Sequence, residues 1–363
     1  MFKNKFAVLL LTMSLLATLL SGCTGNSNGT KEGSTGNTNT SGQAQAVTPV
    51  SETFFIFDTV VTIKIYDNRA TTEDFQELES LMKDIDYKIN RSNEDSEIYA
   101  VNENAGIAPV QVSQETFDLV KIAVDYAKQT GGLLDPSIGP LVSLWNIGHE
   151  GAHVPPAADI EAAQKLIDYR KIELNEDTRE IYLQDKGMDI DLGSYGKGYA
   201  ADLIYDYLKA KGFDSAIIDL GGNVFAMGSK PGAKEWTVGI QDPDQERGND
   251  IGTIKVIDKT VVTAGIYERY FVEDGKFYMH ILDPRTGYPA DNEISSVTIV
   301  ADSSTAADTM DTSLLIMGIE DGLKFAEENN TEALFITKDK KLYATPGFKE
   351  MLNKDNEEYT FAN

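Results

Sequence analysis

The sequence predicts an α+β fold, mostly antiparallel sheet with helices packed on it. Three observations carry that class. Segments 72–90 and 114–130 repeat apolar residues at helical spacing, with Leu78, Leu81, Met82 and Ile85 in one stripe and Phe117, Val120 and Val124 in the other. Six β-rich segments crowd into 236–301, and three of the five gaps between them are only two residues long. No regular β–α–β alternation runs through the chain, and no repeat of about 20–50 residues, which argues against a doubly wound parallel sheet or a solenoid.

Taken in order, the chain opens with "MFKNKFAVLLLTMSLLATLLSGC": Lys3 and Lys5, an apolar run from Phe6 to Leu20, then small residues before Cys23. This has the layout of a secretory signal over 1–22, too short and unevenly flanked for a stable span. Leu20-Ser21-Gly22-Cys23 resembles a bacterial lipobox, whose cysteine becomes the lipidated first residue. Cys23 is the only cysteine, so no intrachain disulfide can form. Residues 23–50 continue in Gly, Ser, Thr and Asn with few apolar side chains, and read as a flexible tether behind the lipid anchor. The folded part is expected over 51–363.

Within it, β-branched and aromatic residues at 53–67 predict a strand pair or one long bent strand. The two long helices follow, then a short helix at 158–169. Strands are expected at 171–174, 180–184, 215–219 and 224–228, with a helix at 197–210 before the third. The strand-dense section places them at 236–240, 251–257, 260–264, 267–273, 276–282 and 294–301. Helices at 305–317 and 320–328 precede strands at 333–337 and 341–344.

The chain's 363 residues are 41% hydrophobic, enough for one sizeable core or two small ones. A formal charge of −26 argues against nucleic-acid binding and against docking on anionic lipid through a basic patch. Charge identifies no partner.

Four stretches carry candidate chemistry. In "TAADTMDT", 305–312, a helix would project Asp308, Asp311 and Thr312 from the face that continues into Leu315 and Ile319. One reading is a helix N-cap at Asp308 with Asp311 in the first turn. The other is a hard divalent cation, Mg²⁺ before Ca²⁺, because two inward carboxylates repel unless one protonates or a cation sits between them. In "MDIDLGSYGKGYAADL", a strand end at Asp191 and a Gly-rich turn lead to Lys197 opening a helix. That suits a phosphate, or only a tight turn. In "SAIIDLGGNVFAMGS", paired glycines mark a hairpin turn or a close backbone approach. In "YMHILDPRTGYP", His280 precedes a tight turn and is either a structural residue or a general base.

In this order the motifs closely resemble the bacterial FAD:protein FMN transferases, the ApbE family. "FDTVVTIKIY", "SNEDSEIYAVNENAG", "GGLLDPSIGPLVSLWNIG", "DLGSYGKGYAAD", "DLGGN", "HILDPRTGYP" and "ADTMDT" carry the resemblance across 51–345. It implies a T-fold-like architecture and a flavin transferase catalytic domain. The implied activity moves FMN from FAD to a threonine hydroxyl of an extracytoplasmic redox protein, releasing AMP. It implies Mg²⁺ held by Asp308, Asp311, Thr312 and the Ser194 carbonyl, and FAD contacts at Phe57, Ser92, Leu133, Leu134, Asp135, Asp191, Lys197, His280 and Leu282. Asp311 and His280 are the implied catalytic residues, with His280 as a base of ordinary pKa. At Ser92 many relatives carry a tyrosine. An Mg²⁺-dependent FAD pyrophosphatase and a non-catalytic flavin-binding lipoprotein are the competing functions. The expected address is the outer side of the bacterial membrane, through lipidated Cys23.

Overall fold

The computed structural model describes residues 48–232 and 234–363; the signal segment, Cys23 and nearly all of the tether lie outside the described residues. Nine strands form the main sheet, and their spatial order is their chain order: Val50–Ile56, Thr59–Ile65, Ser215–Leu220, Asn223–Gly228, Lys259–Gly265, Ile294–Ala301, Glu332–Thr337, Lys341–Ala344 and Thr360–Phe361. Every pairing is antiparallel except the last. The other described helices and strands are inserted between consecutive strands of this sheet.

Both faces of the central strands are buried, and alternate residues serve different cores. Val262, Val297, Ile299 and Phe335 pack beneath the helix Ser304–Met317. Their neighbours Val261, Val300, Leu334 and Ile336 join Trp236 and Ile254 of a small three-stranded sheet on the opposite face. That double coverage explains why Ile294–Ala301 is buried at all but its last position. Further along, the helices Thr72–Ile89 and Gly196–Ala210 cover Val61, Ile63, Ala216 and Ile218.

Helix boundaries follow local chemistry. Thr71 and Asp74 form a reciprocal capping box that starts the first helix. The expected 158–169 helix spans only Ala157–Gln164, because Asp168 instead caps a separate short turn at Tyr169–Lys171. The strand expected at 276–282 stops at Met279, where the His280 N–H donates to the Arg269 carbonyl. Its partner begins at Tyr270 rather than 267, leaving an isolated hairpin. The helices Glu97–Glu103, Gly139–Trp145 and Pro346–Met351 were not expected; none spans more than two turns. No described helix is long and apolar enough to cross a membrane.

Candidate active site

The inward carboxylates belong to the helix Ser304–Met317, whose N-cap is Ser303, its side chain accepting from the Ala306 N–H. Asp308 therefore sits in the second turn, and the capping account of it fails. Asp308 and Asp311 are each 4% exposed, beside fully buried Leu315. Burial raises the Asp308 carboxyl, against the opposing pull of Lys197. Asp311 is pushed well above the carboxylate range by burial and then by Asp308 itself. It accepts hydrogen bonds from the Thr312 N–H and hydroxyl.

The second helix, Gly196–Ala210, delivers backbone and charge to the pair. The Gly198 N–H donates to Asp308 Oδ2 at 2.8 Å, and Lys197 Nζ lies 3.7 Å from Oδ1. A Cβ on Gly198 would sit 2.4 Å from the Ser304 carbonyl oxygen and 2.7 Å from Asp308 Cβ, so glycine is what lets the helices meet. Asp202, one turn further on, clamps the start of the partner helix. Its carboxylate accepts from the N–H groups of Ser304 and Thr305 and the hydroxyls of Ser303 and Thr305.

His280 is half-buried. Its Nδ1 lies 3.2 Å from the Arg269 carbonyl, which can only accept, so Nδ1 carries the proton and Nε2 keeps its lone pair. The expected ordinary pKa is corrected. Desolvation, assisted by the positive charges of Arg269 and Lys197, lowers it to about 4, and the imidazole is neutral at neutral pH.

These groups share one cleft of about 1050 Å³. Phe57, Ser92, Leu133, Leu134, Asp135, Asp191, Ser194, Lys197, His280, Leu282, Asp308, Asp311 and Thr312 all line it. Cys23 lies outside the described residues. Phe57 is half-buried at the tip of the first hairpin, where it and Asp58 both take positive φ, 56° and 55°. Asp135 lines the wall with its oxygens already accepting from Ser137 and the Tyr169 N–H, so its carboxylate braces the Leu133–Leu134 segment. Asp191 Oδ1 accepts from the Gly193 N–H and shapes the Gly-rich turn. The paired glycines at 221 and 222 are both a hairpin turn, at φ 67° and 102°, and part of the cleft wall.

Sequence reasoning missed several lining residues. Arg91 ties Asp189, the Gly139 carbonyl and Ser143 together beside Ser92. Asn223 lies at the cleft wall, and Arg247 Nη1 reaches the Gly221 carbonyl. Arg91 adjoins a quoted motif and Asn223 is the last residue of "DLGGN", which was the available signal. Arg247 had none.

Fold and site together define a class: an α+β protein with a dinucleotide-sized cleft, a buried acid pair and a neutral histidine. The chain belongs to the ApbE family, whose model matches residues 57–335. A Klebsiella pneumoniae protein named FAD:protein FMN transferase is 38% identical over 283 residues, 77% of this chain and 86% of that one. A Treponema pallidum protein of the same name is 36% identical over 309 residues, 80% and 85% of the two chains. Among solved structures, an ApbE protein from Thermotoga maritima superimposes with a TM-score of 0.77 at 32% identity, covering 84% of this chain and 100% of that one. The flavin transferase ApbE from Vibrio cholerae gives 0.74 at 28% identity, covering 84% and 99%.

Proposed function

We propose that the chain is an FAD:protein FMN transferase that moves FMN from FAD to a threonine hydroxyl of an acceptor protein. The observation that carries the reading is one cleft holding a buried acid pair, Lys197 and a neutral His280, in a chain similar to named transferases. In the reaction, the threonine oxygen forms a bond to the FMN phosphorus as the bond to the bridging diphosphate oxygen breaks. The threonine proton passes to His280 Nε2, and AMP leaves. Lys197 and the N-terminal end of its helix lie where a diphosphate would meet positive charge. Leu133, Leu134 and Leu282 offer an apolar wall for the flavin, and Phe57 an aromatic face beside it.

The donor set fits Mg²⁺. Two buried carboxylates and the Thr312 hydroxyl are hard oxygen donors, and the raised carboxyls mark negative charge that nothing in the cleft fully offsets. The described residues contain no cluster of three or more His, Cys, Asp or Glu that could hold a metal ion, so other positions would fall to the Ser194 carbonyl, water and phosphate oxygens. When bound there, Mg²⁺ would supply neutralisation of charge developing on the diphosphate. Lipidation at Cys23 would hold 51–363 on the outer face of the membrane through the 23–50 tether, within reach of an extracytoplasmic redox acceptor.

The test is intact mass spectrometry of a threonine-bearing acceptor domain incubated with the full chain, FAD and Mg²⁺. The expected result is a mass gain of one FMN with AMP released, lost in Asp311→Ala and His280→Ala and without Mg²⁺. AMP and free FMN without a gain would point to hydrolysis; no turnover of FAD would overturn the reading.

A further inference from the structure

Asn223 is 2% exposed and opens the strand Asn223–Gly228, directly after the Gly221–Gly222 turn. Its Oδ1 lies 2.8 Å from the Ser304 hydroxyl, and the Thr260 hydroxyl approaches that same Ser304 oxygen at 3.2 Å. Thr260 donating to Ser304 leaves the Ser304 proton for Asn223 Oδ1, which sets the orientation of the carboxamide. Its other end, Nδ2, is buried and has no hydrogen-bond partner. A buried amide donor without an acceptor is rare because its desolvation is unrewarded.

The surroundings say which acceptor this donor awaits. Ser304 and Asp308 stand one helical turn apart on the same face, so a side chain anchored on the first is aimed along the helix toward the second. The Asn223 carboxamide lies beside Asp308 without reaching hydrogen-bond geometry, and both line the cleft. One Asp308 oxygen is held by the Gly198 N–H, and the other has only Lys197 at 3.7 Å. Gly198 packs closely against both Ser304 and Asp308.

We propose that Asn223 is a positioning residue for Asp308: in the loaded cleft Nδ2 donates to the Asp308 carboxylate and fixes which oxygen it presents to the divalent cation. Ser304 is the anchor that aims the carboxamide. The inference rests on the assignment of Asp308 to that cation in the proposed function. Groups that hold a metal ligand in place typically cost about 10–100-fold in metal affinity when removed.

The test titrates Mg²⁺ alone, without FAD, against the full-length protein in detergent, following the melting temperature and the heat of binding. Asn223→Leu keeps similar bulk and removes the donor; Ser304→Ala keeps the donor and removes its anchor. Expected is an apparent Mg²⁺ dissociation constant raised about 10-fold or more by Asn223→Leu and by a smaller factor in Ser304→Ala. Both variants break the Ser304–Asn223 hydrogen bond, so their metal-free melting temperatures should fall by similar amounts, while only Asn223→Leu also loses the unpaired donor. Mg²⁺ affinity within twofold of wild type in Asn223→Leu would overturn the inference. So would equal affinity losses in both variants that track equal losses of metal-free stability, which is what a merely structural asparagine would give. A wild-type protein that shows no Mg²⁺-dependent shift would instead remove the metal assignment itself.

Discussion

Replacing Asp311 by Asn should make the metal-free protein more stable while abolishing its activity. Asp308 and Asp311 are buried one helical turn apart, about 5–6 Å between side-chain origins. At about 6 Å and an effective dielectric of about 20, two unit charges repel by about 3 kcal/mol. Lys197, 3.7 Å from Asp308, offsets part of this, leaving about 1–2 kcal/mol to be recovered by the neutral amide. The Asn oxygen can still accept from Thr312. At about 2 °C per kcal/mol for a larger domain, the melting temperature in chelator at pH 8 should rise by about 2–4 °C. The sign follows from the direction of the shift. A carboxyl pushed up in the native state ionises less readily there than in the unfolded chain, so native stability falls as pH rises above the ordinary carboxylate range. The amide does not titrate, so its advantage should grow from about pH 4 upward and disappear below it. Mg²⁺ should then raise the melting temperature of wild type and leave the variant nearly unmoved, while FMN transfer by the variant falls by at least about 100-fold. Calorimetry across pH with and without Mg²⁺ decides it. A metal-free Asp311→Asn protein no more stable than wild type at pH 8 would refute the repulsion argument.

Gly198→Ala should cost about 1–3 kcal/mol, because the new Cβ meets helix backbone at 2.4 Å that can yield only by separating the two helices; thermal unfolding measures this, and a neutral substitution would show the contact to be slack. Asp58→Gly should stabilise by about 0.5–1 kcal/mol, since glycine takes the φ of 55° without strain and also removes a charge that raises Asp86; a lower melting temperature would count against it. For His280, whose pKa is lowered to about 4, the base is mostly protonated only below about pH 4. With Mg²⁺ saturating, the acid limb of kcat/KM should therefore lie well below the ordinary histidine value, and a limb centred near pH 6.5 would show that the imidazole is solvated.

Local pattern carried much of this protein in its sequence. The register of 304–317, with Asp308 and Asp311 facing Leu315, follows from 3.6-residue periodicity, a property of adjacent residues alone. The helix opened by Lys197 was legible for the same reason, and the strands at 50–65 were legible as β structure, with the pair one of two readings until the fold decided it. Long, strongly patterned segments came through, whereas the helices at 97–103, 139–145 and 346–351 did not. Segments of six or seven residues are too short to be helical on their own propensity and exist because the tertiary structure packs them. The motifs also placed the cleft residues in their family order, but order in a chain says nothing of solvent. Only the assembled fold decided that Asp135 turns its oxygens inward to Ser137 and Tyr169, that His280 loses its water and drops to a pKa of about 4, and that Asn223 keeps an unpaired donor near Asp308. Those properties depend on which distant segments exclude water and approach a given atom, and that is set by packing rather than by any local run of residues.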